Sequence, residues 1–263
     1  MKVIILAGGL GTRIQEFTKT IPKPMIKLGR FPMLIHIMKH YIKYGYKDFI
    51  IAAGYKSEVI KKYFKNFKKN GISFPYSINK KNKCTVTILD TGKKTLTGGR
   101  LKRVGKLIEK NEDFMFTYGD GLSNVNLKKL VNFHNKKKKL ATVTAVKPLA
   151  RFGAMDIEND NVTDFIEKPK SESGWINGGF FVLSFDVIKY ISGCLESWEK
   201  GPLQKIVKDN QLVAYKHSGF WQPMDTLREK FILEDLWKKG NAPWTPKAYK
   251  NKNILAFKKS VNI

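Results

Sequence analysis

The sequence is short of acid, of histidine and of cysteine. Asp and Glu number 22 against 49 Lys and Arg, with four His and two Cys in 263 residues. The histidines His36, His40, His134 and His217 share no spacing, which argues against a histidine-built metal centre and leaves them as packing or surface residues. Cys84 and Cys194 lie too far apart for a zinc cluster or a C-x-x-C redox pair. They are expected as reduced, buried thiols, with a single disulfide as the alternative. No apolar run approaches the roughly 18 residues of a membrane span. Val3–Ala7 is too short for a secretory core and runs into glycines, so the expectation is cytoplasmic, with no membrane partner. No internal repeat and no flexible linker interrupts the chain.

What is abundant is lysine. The net charge of +27 invites a nucleic-acid role, but the charge sits in lysine clusters such as Lys136–Lys139. Specific readers of bases favour the planar fork of arginine. A solvated coat with salt-sensitive polyanion binding is expected, and no specific nucleic-acid partner. Hydrophobic residues make up 42%, enough to bury a core and to set disorder aside.

Strand and helix patterns alternate through the first half. Lys2–Ala7 reads as a buried strand, and Pro32 opens a helix that ends at Gly45. Phe49–Ala53 is the next strand, and Ser57 caps a helix. Strands at Ile72–Ile78 and Val86–Leu89, a helix over about Gly99–Glu109, a strand at Phe114–Tyr118, a helix at Leu127–His134 and a strand at Ala141–Val146 follow. This order predicts an α/β fold with a doubly wound, mainly parallel sheet, with ligands beyond the carboxyl ends of its strands. Residues 151–169 predict a small antiparallel insertion that turns at Asn159–Asn161. A strand at 178–185, two helices, a strand with an aromatic turn at 212–225 and a helix at Thr226–Lys238 complete it. One domain is expected over residues 1–244, with a nucleotide half to about 147 and a sugar-binding half from about 148; residues 245–263 read as a basic tail.

The first strand leaves through Gly8, Gly9 and Gly11 into Thr12 and Arg13. This is neither a G-x-G-x-x-G fingerprint nor a Walker A loop. Glycines let consecutive N–H groups close around a phosphate, and an arginine adds a bidentate contact. A plain turn explains any one glycine but not Thr12-Arg13, so a nucleoside triphosphate is the expected ligand. In "IPKPM", Lys23 stands between two prolines that stiffen its mounting.

"LAGGLGTR" followed closely by "PKPM" resembles the signature of the sugar-1-phosphate nucleotidyltransferases. "TGGRLKRV", "FTYGDG", "RFGAMDI", "INGGFFV", "GFWQPMDTLRE" and "GNAPW" occur in the expected order and are similar to the glucose-1-phosphate cytidylyltransferases among them. The resemblance spans nearly residues 1–244; the lysine enrichment and the tail depart from it, and neither touches the motifs.

Asp120 ends a buried strand between glycines, where a turn-forming role is the plainer alternative. Asp225 precedes a helix, where it could be an N-cap. As a pair they suit Mg²⁺ in phosphoryl transfer, and the resemblance assigns both to the metal, alongside Arg13 and Lys23 as catalytic residues. It implies nucleotide binding by Leu6, Ala7, Gly8, Gly9, Leu10, Gly11, Thr12, Arg13, Lys23, Thr95, Arg100 and Gly119. It also implies that Glu167 binds sugar hydroxyls and Lys168 the sugar phosphate, with Asn177, Gly178 and Gly179 around the hexose. Trp221 fits sugar stacking or core filling equally. The implied reaction joins CTP to glucose 1-phosphate with Mg²⁺ in a homo-oligomer, a hexamer being one form. Two rivals are the same chemistry with UTP or dTTP, and a catalytically silent relative that only binds nucleotide or sugar.

Overall fold

The computed structural model describes residues 1–65, 84–147, 154–158, 161–166 and 174–245. In chain order these form β1 (Val3–Ala7), α1 (Gln15–Thr18), β2 (Lys27–Leu28), β3 (Phe31–Pro32), α2 (Met33–Lys43), β4 (Asp48–Ala53), α3 (Ser57–Lys65) and β5 (Thr85–Asp90). Next come α4 (Thr97–Gly105), β6 (Phe114–Tyr118), β7 (Gly121–Ser123), α5 (Leu127–Lys137), β8 (Ala141–Val146) and the antiparallel pair β9 (Ala154–Glu158) and β10 (Asn161–Ile166). The last are β11 (Ile176–Leu183), α6 (Pro202–Lys208), β12 (Leu212–His217), β13 (Trp221–Pro223) and α7 (Leu227–Lys238).

Seven strands build one sheet in the order β12-β8-β11-β6-β1-β4-β5. All neighbours are parallel except β11, which runs against both β6 and β8. β1 shows why its sequence is apolar without alternation. Val3, Ile5 and Ala7 pack on one face with α2, while Ile4 and Leu6 pack on the other with Leu101 and Val104 of α4. Both faces are covered, as a central parallel strand requires. Each Ile or Phe fully buried there contributes about 1.5–3 kcal/mol.

The parallel strands deliver their carboxyl ends, Ala7, Ala53, Asp90, Tyr118 and Val146, to one edge. Because β11 is reversed, its first residues, not its last, reach that edge, and Asn177–Gly179 therefore arrive beside Tyr118.

Some boundaries differ from the sequence expectation. α4 begins earlier and stops at Gly105, where three-residue turns from Leu107 to Val104 and from Ile108 to Gly105 replace helical bonds. Of the two helices expected after β11, the first is a 3-10 helix, Phe185–Tyr190. The strand expected at Ile72–Ile78 and residues 246–263 of the tail lie outside the described residues. Cys84 and Cys194 are free thiols, Cys84 half-buried and Cys194 exposed rather than buried. His36, His40 and His134 are buried packing residues. No helix among the described residues is long and apolar enough to cross a membrane.

Candidate active site

The loop after β1 is held from behind and open in front. The Gly8 carbonyl accepts the Tyr55 N–H at 3.2 Å and an Arg100 guanidinium N–H at 2.8 Å. At Gly9 nothing lies within 4 Å of where a side chain would begin. Gly11 takes φ +66°, the left-handed region that favours glycine, and its carbonyl accepts the Thr18 hydroxyl at 3.0 Å. A 3-10 turn, Thr12–Ile14, follows; buried Ile14 anchors it and Arg13 projects from it. Backbone N–H groups of such a turn suit an anion.

Four charged side chains converge beside this loop. Lys23, in the 3-10 turn Lys23–Met25 opened by Pro22, donates to Asp120 Oδ2 at 2.7 Å and to Asp225 Oδ1 at 2.5 Å. Arg13 Nη1 donates to Asp225 Oδ2 at 2.6 Å. Asp120 and Asp225 are brought together by β7 pairing with β13 and by the Met224 N–H on the Asp120 carbonyl at 2.8 Å. Burial alone would push the Lys23 ammonium down, but Asp120 and Asp225 outweigh it and hold its pKa above the ordinary lysine value. Lys23 therefore stays cationic at any physiological pH.

Asp225 is not the cap of α7. That role belongs to Thr226, whose hydroxyl accepts the Glu229 N–H at 3.3 Å while Glu229 Oε2 accepts the Thr226 N–H at 2.9 Å, a capping box. The Asp225 carboxylate is left to the cation cluster. Two carboxylates meeting at one cation are a donor set that fits Mg²⁺, a hard ion that takes one or two carboxylates and completes its shell with phosphate oxygens and water.

A cleft of about 300 Å³ runs along this edge. Its lining includes Leu6, Ala7, Gly8, Gly9, Gly11, Thr12, Arg13, Lys23, Thr95, Arg100, Gly119 and Asp120. Leu10 is half-exposed beside them and is not part of the lining. A side chain at Gly119 would collide with the Leu6 carbonyl and Pro24, so glycine is needed there for packing. Arg100 lines the cleft, yet its donors face protein: the Ala53 carbonyl at 3.2 Å, the Thr91 hydroxyl at 2.5 Å, the Gly92 carbonyl at 2.9 Å and the Gly8 carbonyl. It braces the ends of three strands.

Of the residues expected around the hexose, Asn177 is exposed and Gly178 and Gly179 are buried, Gly179 with φ +78°. Trp221 is half-buried and donates to the Gly178 carbonyl at 2.7 Å, which steadies this strand start. Glu167 and Lys168 lie outside the described residues. The sequence reading missed Thr97 and Tyr118, which also line the cleft, and Glu199, to which both donate. Tyr118 directly precedes the Gly119-Asp120 motif, a signal that could have found it. Glu199 has no such signal.

Comparison with known proteins gives the family. The profile of the nucleotidyl transferase family matches residues 2–224. A glucose-1-phosphate cytidylyltransferase of Salmonella typhi is 48% identical over 253 residues, covering 93% of this chain and 98% of the relative. A mannose-1-phosphate guanyltransferase of Saccharomyces cerevisiae is 32% identical, covering 86% and 63%. Among solved structures, UDP-glucose pyrophosphorylase complexed with UDP-glucose superposes with a TM-score of 0.69 at 20% identity, covering 90% of this chain and 98% of that one, which is a likeness of fold. The chain belongs to the nucleotidyl transferase family, on the branch it shares with the glucose-1-phosphate cytidylyltransferases.

Proposed function

We propose that the protein transfers the cytidylyl group of CTP to α-D-glucose 1-phosphate, releasing diphosphate and forming CDP-glucose. The carrying observation is the convergence of Arg13, Lys23, Asp120 and Asp225 at a glycine-lined cleft, in a chain 48% identical to a cytidylyltransferase for this sugar phosphate.

A phosphate oxygen of the sugar phosphate attacks the α-phosphorus in line, and the bond to the β-phosphate breaks on the opposite side. The attacking oxygen is already anionic, so no side chain need act as base. The residues position and neutralise. The N–H groups from Gly8 to Thr12 and the Arg13 guanidinium receive the leaving diphosphate. Lys23 neutralises charge that builds on the α-phosphate. Asp120 and Asp225 are the residues that would hold Mg²⁺, which when bound supplies further neutralisation at the phosphate oxygens. Asn177, Gly178 and Gly179 receive the hexose, and by family resemblance Glu167 and Lys168 complete its site. A cytoplasmic homo-oligomer goes with this assignment, the oligomer being open to sedimentation analysis.

The test is diphosphate release with each NTP in turn, glucose 1-phosphate and Mg²⁺. CTP is expected to be strongly preferred, because a base is rejected when it leaves buried polar groups of the site unpaired. Equal release with UTP or dTTP would move the assignment to the neighbouring nucleotide, and no release with any would favour a silent relative.

A further inference from the structure

The "TGGR" segment carries a function the nucleotide reading does not absorb. Side chains at Gly98 and Gly99 would collide with backbone of residues 194–198, and these glycines let that segment lie directly on the start of α4. The Leu96 N–H reaches the Cys194 carbonyl at 3.0 Å and the Gly99 N–H the Glu196 carbonyl at 3.1 Å. Thr97 fixes the next residues, accepting the Trp198 N–H at 2.9 Å. The whole arrangement seats Glu199.

Three hydroxyls converge on that carboxylate. Tyr118 donates to Oε1 at 2.6 Å, and Thr97 and Ser197 donate to Oε2 at 2.7 and 2.6 Å. With its proton given to Glu199, the Tyr118 oxygen can only accept from a further neighbour, and it accepts from Asn177 Nδ2 at 3.3 Å. Asn177 Oδ1 in turn accepts the Gly179 N–H at 2.8 Å. A flipped Asn177 amide would set N–H against N–H at Gly179 and oxygen against a lone pair at Tyr118. The direction of the chain from Asn177 through Tyr118 to Glu199 is thus set at both ends, by the Gly179 N–H and by the Glu199 carboxylate.

We propose that Glu199 is a positioning residue for the hexose: through Tyr118 it fixes the amide of Asn177 so that one face of that side chain reads the sugar hydroxyls. The proposal rests on the assignment of Asn177 to the sugar side of a nucleotidyl transfer site. Removing Glu199 leaves the Tyr118 proton without its acceptor, so it can turn against Asn177 Nδ2; the amide then loses one of its two anchors and is held by the Gly179 N–H alone. The phosphate loop is braced separately by Arg100 and keeps its shape.

The experiment is steady-state kinetics of Glu199→Ala, Glu199→Gln and Tyr118→Phe with CTP, glucose 1-phosphate and galactose 1-phosphate. Glu199→Ala should raise KM for glucose 1-phosphate about tenfold, the scale of one or two lost hydrogen bonds, and reduce discrimination against galactose 1-phosphate. KM for CTP should rise less than KM for glucose 1-phosphate, since the glycine loop is untouched and Thr97, which also lines the cleft, keeps its bond from the Trp198 N–H. Glu199→Gln should recover most of the loss, because its amide oxygen can accept the Tyr118 proton. Should Glu199→Ala not fold, Tyr118→Phe must give the same sugar-side rise. A KM rise shared equally by CTP, a Gln variant no better than Ala, or an unchanged sugar KM in Tyr118→Phe overturns the proposal. Failure of the proposed function shows in the wild type alone, which would then release no diphosphate from CTP and glucose 1-phosphate. The positioning role is judged on variant-to-wild-type ratios with whichever NTP the wild type accepts.

Discussion

Lys23 donates to Asp225 at 2.5 Å across 202 positions of sequence, joining the 3-10 turn that follows α1 to the residue before α7's cap. Asp225→Asn keeps the side chain's shape and removes its charge. Diphosphate release is expected to fall by about 10²–10³ at saturating Mg²⁺, the scale seen when one group stabilising transition-state charge is lost. The melting temperature should change little. Full turnover in this variant would remove Asp225 from the metal and phosphate machinery.

Thr226→Ala should do the reverse. It deletes the hydroxyl of the capping box and should cost about 1 kcal/mol of stability, read from urea denaturation. Its effect on kcat should be under about threefold, provided Asp225 keeps its place, which the Glu229 carboxylate secures by accepting the Asp225 N–H at 2.7 Å. A large kcat loss with unchanged stability would contradict the division of labour between these adjacent residues.

The stability of the fold should depend on pH through His36 and His40. Burial pushes both down to about 3 from an ordinary 6.5. His36 Nδ1 also accepts the Trp244 indole N–H at 3.2 Å while Nε2 bonds the Leu28 carbonyl at 3.0 Å, an arrangement open only to the neutral ring. Below pH 6.5 the unfolded chain takes up protons that the folded chain refuses until about pH 3. Stability present above 6.5 is therefore lost as pH falls through that window, by up to about 1.4 kcal/mol per pH unit for each ring. Urea midpoints at pH 7.5, 6 and 5 should fall in that order. A flat series would show that these rings charge inside the fold.

The lysine coat gives a salt prediction. Binding to an unrelated DNA duplex should be independent of sequence and should weaken by about 10³–10⁵ between roughly 50 and 200 mM salt if six to ten phosphates are contacted. Diphosphate release should change far less, since Lys23 and its partners are partly shielded from screening. Fluorescence anisotropy beside the activity assay measures both. Tight, sequence-dependent binding at 200 mM would restore a nucleic-acid role.

What could be seen in the sequence was whatever short stretches encode by themselves. Continuous apolarity in Val3–Ala7 announces a strand covered on both faces, and the glycines with Arg13 announce an open loop that ends on a projecting guanidinium. The prolines around Lys23 announce a fixed cation. The ambiguity of Asp225 could not be resolved there, because Thr226 and Asp225 are both good caps and only the fold shows which one turns inward. Arg100 was only partly legible for a related reason. A motif arginine near a glycine loop suggests a ligand contact, and the sequence does not show that this cleft-lining residue also holds carbonyls from strand ends 47 and 92 positions away. Glu199 was invisible because its meaning lies entirely in tertiary contacts.

The brace formed by Arg100 also links the fates of distant positions in the gene. A side chain at Gly8 or at Gly54 would meet the same guanidinium, which is buried and tied by its bonds to Ala53, Thr91, Gly92 and Gly8 and so cannot swing aside. Both glycines are constrained by residue 100. Descendants of this sequence can exchange Gly54 for a larger residue only after Arg100 has been replaced, and replacing Arg100 first leaves the Gly8 carbonyl without its strongest donor. Such an order of substitution, closed in one direction and costly in the other, couples these three positions at the carboxyl edge of the sheet.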